Sequence, residues 1–425
     1  VRYDPFQWLS HAGPFTGEEQ EEWARLQGAQ ETEEQRTRLE TILSQSRNRE
    51  VQAALEQGRE PQFHYPCIPL EDVTRRIGEL RQLAADVTQH EPNAIVRRLY
   101  LEVIDEHAAY LQMIKATHDG DVQAFWRHNR RIHAEPSPEE MQRVLSEVGR
   151  LIAEGMQHPE TIEVSERLSR FLRDIQAPLG VLPAPPGPRL LSDGKTPTST
   201  RPRMIAPHTV KRFIDSVMRQ YGFDGWQTVI DVTVNDPRIE QLTQCLILPD
   251  KQLSVERVRT LLSHEIESHV FRAASGEKSR LNLLATGTCG FMATEEGLAL
   301  YNDRETARLQ GKANDEISTA SLFGTLATGL ASGVITSPLT FSRLCAFLEL
   351  FLFLYRRLNH LDKDEQRTRV KARDLARIRC LRTFRGVPDL TVAGVAYVKD
   401  SLYMRGERMV SQQIQQDNMA LERLM

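Results

Sequence analysis

Residues 261–272 read LLSHEIESHVFR, with His264 and His269 separated by four residues instead of the three of the H-E-x-x-H pattern. Two histidines four apart in number stand one turn apart on an α-helix and can grip one ion. At about 100° per residue, histidines five apart point roughly 140° away from each other. One extra residue in a turn, a π-bulge, returns His269 beneath His264. The other reading leaves one histidine in the core and one at the surface. The flanking apolar residues Val255, Val258, Leu262, Ile266 and Ala273 form a stripe near which His269 falls on an ideal helix, with His264 on the far side. Ser254 is a candidate N-cap of this helix, Glu256 sits in its first turn, and Gly276 is its expected stop.

The surrounding chemistry favours the metal reading. Glu265 directly follows the first histidine, where a carboxylate can take a proton from an activated water. Downstream, FMATEEGLALYNDR (291–304) offers Glu295 and Glu296 at the start of another expected helix, either able to complete a His2Glu set with a fourth position open. Paired glutamates also suit a helix N-terminus for dipole reasons alone. Asn302 and Asp303, two turns on, are candidates to orient a histidine.

The 425-residue chain is 40% hydrophobic and 26% charged, ordinary for a globular protein with room for two domains. Its 54 lysines and arginines nearly balance 58 aspartates and glutamates, so no global field holds nucleic acid or an anionic membrane. The basic run FWRHNRRIH (125–133) reads as the solvated face of a helix. Five scattered cysteines, none in C-x-x-C spacing, argue against a disulfide framework or a cysteine-rich zinc site and for a reducing, cytoplasmic location. The apolar region 322–355 is broken by Gly, Ser, Thr and Pro and carries Arg343 and Glu349, so it reads as two buried helices and not as a membrane span.

The expected fold is α+β and mostly helical. Residues 1–177 form a helical N-terminal domain, given helical spacing such as Ile77, Leu80, Leu83 and Ala84. Residues 178–207 hold eight of the 21 prolines and read as a linker or extended arm. Residues 208–425 form the second domain. There HTVKRFIDSVMRQYGF suggests a helix, WQTVIDVTVND a strand alternating Ile230, Val232 and Val234 against Val229, Asp231 and Thr233, and CLILPD a further strand.

HEIESH followed by TEEGLALYNDR resembles the motifs of the bacterial flavohaemoglobin expression-modulating QEGLA-motif family, whose animal relatives include the microtubule-associated tyrosine carboxypeptidases. The resemblance extends from PQFHYP (61–66) through HTVKRFID to RTFRG (382–386) and VKDSLYMRG (398–406). It implies a gluzincin-like zinc peptidase domain in which His264, His269 and Glu296 bind Zn2+ and Glu265 is the catalytic carboxylate. Glu296 takes precedence over Glu295 because it occupies the glutamate of the EEGLA stretch. Two residues depart from the usual first motif, Glu267 for glycine and Ser268 for threonine. The first adds a charge expected near the metal, whereas the second keeps a hydroxyl.

The implied activity is removal of C-terminal residues from a peptide or protein tail, which also needs a cation for the free carboxylate. Arg382, Arg385, Lys399 and Arg405 are candidates, with Tyr397 or Tyr403 able to donate to an oxyanion. Arg385, Lys399 and Tyr403 are preferred, the last two because K-D-x-x-Y recurs in the family. The competing expectation is a regulatory or interaction protein with a structural or vestigial zinc site.

Overall fold

The computed structural model describes residues 5–27, 33–178, 203–311 apart from 233 and 235, and 317–417 apart from 363. It is mostly helical with two small sheets, as expected for an α+β chain. Most of the proline-rich 178–207 segment lies outside the described residues. Among the described residues no helix is long and apolar enough to cross a membrane.

The chain falls into two compact units, residues 1–186 with 322–401 and residues 187–321 with 402–425. This differs from a single division near residue 207, because residues 322–401 group with the N-terminal helices. Packing explains the grouping. The helix Phe341–Leu358 buries Phe347, Phe351 and Leu354 and packs against the amphipathic helices Pro138–Gly155 and Ile162–Asp174. The first of these begins at a capping box, with Ser137 accepting from the Glu140 amide and Glu140 from the Ser137 amide. The 125–133 basic run lies on the helix Val122–His133, whose Asn129 and His133 are buried while Arg130 and Arg131 pair with Glu135 and Asp105.

In the second unit, Cys245–Pro249 is the central strand of a three-stranded sheet, buried along its whole length. Gln227–Asp231 runs parallel to it and Arg238–Glu240 antiparallel on its other side. The first of these strands stops at Asp231, earlier than the alternation predicts, and Val232 is exposed. Asp231 lies opposite Pro249, which has no amide with which to extend the ladder. Thr233 lies outside the described residues. A second sheet pairs Met204–Ile205 with Leu253–Ser254.

The helix Pro207–Gln220 lays Val210, Ile214 and Met218 on the sheet, and the histidine-bearing helix adds Val258, Leu261, Ile266, Val270 and Ala273 to the same core. The glutamate-bearing helix Phe291–Leu309 is packed against the helix Leu402–Gln416 at a crossing of small residues. A Cβ on Gly297 would stand 2.2 Å from the Gly406 carbonyl carbon, and one on Gly406 would stand 1.9 Å from the Ala293 oxygen. Both obstacles are backbone, so no rotamer change relieves them.

Gly297→Ala or Gly406→Ala is therefore expected to force the two helices apart and lower stability by about 1–3 kcal/mol. Urea unfolding followed by circular dichroism measures this, and a loss no larger than that of an alanine placed at the open position Gly78 would refute the crossing.

Candidate metal centre

Ser254 caps the histidine helix, accepting from the Arg257 amide at 3.1 Å as expected. The helix is α from Val255 to Leu261, π from Leu262 to Val270, and α again from Phe271 to Glu277, one residue past the expected stop. The Phe271 amide reaches back five residues to the Ile266 carbonyl, the hydrogen bond of a widened turn. Burial shows the same inserted residue. The core-facing positions step from Val258 to Leu261 and then by five to Ile266, before resuming at Val270 and Ala273.

With that residue absorbed, the His264 and His269 rings lie with centroids 5.4 Å apart. Donor atoms of His264, His269 and Glu296 all lie within 4.8 Å of one another, and they form the one such group among the described residues. Donors held about 2.1 Å from one four-coordinate ion stand about 3.4 Å apart, so modest side-chain rotation closes the set.

Each ring has a carboxylate beside its Nδ1. His264 Nδ1 lies 2.9 Å from Asp303 Oδ2, and His269 Nδ1 lies 3.3 Å from Glu295 Oε1. A carboxylate acceptor keeps the proton on Nδ1 and leaves the Nε2 lone pair for a metal. Glu295 is fixed in turn by Arg272, whose Nε donates to it at 2.5 Å while its other nitrogens bond the Ala285 carbonyl and Gln241. Its guanidinium also lies over the Phe291 ring. Asn302 donates to the Ser268 hydroxyl at 3.2 Å, and the Ser263 hydroxyl donates to Asp303 at 3.3 Å, tying the π segment to the glutamate helix. The hydroxyl kept at Ser268 thus has a structural use.

The electrostatics of the cluster are set by burial and by its own charges. Burial disfavours charge on His269, yet its hydrogen bond to Glu295 and the nearby Glu296 and Glu265 outweigh this and raise its pKa to about 9. His264 is raised as well, burial being overcome by the Asp303 hydrogen bond and the charges of Asp303 and Glu265. Burial pushes Glu265 up, assisted by Glu296 and opposed by the two histidines. Four acids, Glu265, Glu295, Glu296 and Asp303, surround the two imidazoles, and His264, His269 and Glu296 among them form a donor set that could hold a divalent cation.

Glu267, expected near the metal, hydrogen-bonds Tyr221 and lines a cleft of about 340 Å³ with Val217, Gln220 and Leu262. Tyr403 belongs to the same unit as the histidines, whereas Arg385 and Lys399 belong to the other. Arg382 is engaged by Asp400 through two contacts of 2.9 and 3.1 Å. Tyr397 is buried with its hydroxyl 3.1 Å from that of Tyr110. The supporting roles of Glu295 and Arg272 were not read from the sequence, although a basic residue three positions after His269 was the available signal. No family model, curated protein or solved structure matches this chain.

Asp303→Asn is expected to weaken zinc binding about 10–100-fold, as measured by competition with a chromophoric chelator. Deleting Glu267 restores a four-residue step on a plain α-helix and is expected to keep affinity within about ten-fold. Inserting an alanine after Ile266 is expected to abolish binding. Loss of binding in the deletion variant would show that the widened turn is not what pairs the rings.

Proposed function

We propose that this chain is a zinc-dependent peptidase that removes C-terminal residues from peptides or a protein tail. The observation carrying this reading is the π-helical turn that gathers His264, His269 and Glu296 while leaving Glu265 beside them. Three protein donors with a carboxylate alongside match a catalytic site, since structural zinc sites use four protein donors. That contrast favours the enzyme over the regulatory protein with a structural zinc.

When bound, zinc supplies Lewis acidity that polarises a peptide carbonyl and brings the pKa of water towards about 7. The chain's own residues do the rest. Glu265, its carboxyl raised by burial, accepts a proton from water and returns it to the leaving amine. Asp303 and Glu295 hold the imidazoles in one tautomer and orientation. Tyr403, in the same unit as the histidines, is the proposed partner of the substrate, its phenol donating to the developing oxyanion. The proposed location is cytoplasmic.

Digestion of a peptide library with zinc-loaded protein, read by mass spectrometry, is expected to show loss of C-terminal residues that stops with chelator. C-terminally amidated peptides are expected to survive. Glu265→Gln is expected to lower the rate by about 10²–10⁴-fold with zinc content unchanged. Absence of cleavage by the parent protein across the library, with zinc bound, would favour the structural-site reading.

A further inference from the structure

Two of the stretches singled out in the sequence, PQFHYP at 61–66 and RTFRG at 382–386, converge in the first unit, more than 300 residues apart in the chain. The Gly386 amide donates to the Tyr65 hydroxyl at 3.0 Å, and the Gly386 carbonyl accepts from Thr117 at 2.7 Å. Gly386 has φ +72°, and a Cβ there would meet Leu9 at 2.7 Å. Only glycine fits that junction without displacement. The junction bounds a pocket of about 260 Å³ whose apolar walls include Leu9, Phe63, Leu381 and Phe384. Ile378, 52% exposed, marks its mouth.

Three arginines also line this pocket, Arg47, Arg382 and Arg385, and no carboxylate does among the described residues. The charge of Arg382 is matched by Asp400. Arg47 donates from one terminal nitrogen to the Ser10 carbonyl at 2.8 Å, while its Nε is buried with no hydrogen-bond partner among the described residues. The positive charge is felt locally. Burial, then Arg47, then Arg385 lower the pKa of the adjacent His11 to about 4, and burial followed by Arg385 lowers that of Arg47. Two cations face one small apolar chamber, an arrangement that costs stability unless an anion enters.

We propose that this pocket binds an organic carboxylate with an aromatic or branched apolar body, held between Arg47 and Arg385. The size suits that class. A cavity of about 150 Å³ takes a benzene ring, so 260 Å³ leaves room for a ring and a carboxylate. Phosphate fills only the charged part and leaves the apolar walls unused. The ligand is either a free small acid or the carboxyl end of a chain, both presenting the same group. This site uses no residue of the metal cluster, and the inference stands whether or not the chain hydrolyses peptides.

The test is isothermal titration of the full chain with N-acetylphenylalanine, its amide, inorganic phosphate, and the peptide Gly-Gly-Gly-Phe with a free C-terminus. The acid is expected to bind, with the amide and phosphate each at least ten-fold weaker. Arg47→Gln and Arg385→Gln are each expected to weaken the acid about ten-fold or more, as for loss of a charge-assisted hydrogen bond. His264→Ala is expected to leave binding unchanged. Arg385→Gln relieves the repulsion from Arg47 while leaving the Arg47–Ser10 hydrogen bond in place, so that variant is expected to melt no lower than the parent when empty, which separates ligand binding from a structural role. Comparable binding of the peptide assigns a chain end, and binding of the small acid alone assigns a free acid. Equal affinity for acid and amide, no binding of the acid, insensitivity to both glutamine variants, or loss in His264→Ala would overturn the proposal.

Discussion

One residue too many in a single helical turn governs the second unit. A π turn gives up the favourable i to i−4 hydrogen-bond register, so it persists only where neighbouring groups hold it. Here the neighbours are polar and come from one element. Asn302 and Asp303 on the glutamate helix reach Ser263, His264 and Ser268, which lie inside the widened segment. The side chains that support the distortion are thus the same ones that aim the first imidazole. On its other side the segment is pinned by Ile266 and Val270 in the core. The widened turn is fixed from both faces, and the pairing of the two imidazoles follows from that fixation more than from any intrinsic preference of the sequence HEIESH.

The glutamate helix can serve only if it is itself immobile. Its close crossing with the Leu402–Gln416 helix supplies this through Ala293, Gly297 and Gly406, where backbone meets backbone. Gly297 directly follows Glu296, so the residue that permits the crossing also sets the place of the proposed ligand. A polar contact secures the other end of the pair, where Arg304 approaches buried Glu407 at 3.4 Å and Ser321 donates to that carboxylate at 2.6 Å. Small residues and one neutralised acid fix the spacing between helices that the site requires.

Much of this was legible in the chain because it depends on local periodicity. The five-residue step between histidines, set against an apolar stripe, demanded either a widened turn or two unrelated rings, and Ser254 announced where the helix begins. Cys245–Pro249 read as a strand because an unbroken apolar run that short suits burial on both faces. What escaped were facts decided across the chain. Glu295 looked like an alternative ligand because its distant partner Arg272 could not be seen beside it. Glu267 was expected beside the metal ligands, and its hydrogen bond to Tyr221, more than 40 residues upstream, had no local signature. Alternation ran through Val232, but the strand ends where its neighbour offers a proline. The grouping of residues 322–401 with the N-terminal helices had no local signature, since each apolar helix states only that it needs a partner.

That grouping bears on how the protein emerges from the ribosome. Glu60 cannot meet Ser342, nor Thr117 meet Gly386, until roughly 270 or more further residues have been made. The helices Pro138–Gly155 and Ile162–Asp174, which pack against Phe341–Leu358, therefore spend much of synthesis with part of their apolar faces uncovered. The second unit is delayed too, because Gly297 must wait for Gly406. Neither unit is contiguous in the chain, so each keeps some of its apolar helices waiting for a later segment, and sheltering of those nascent helices bears on the yield of native molecules.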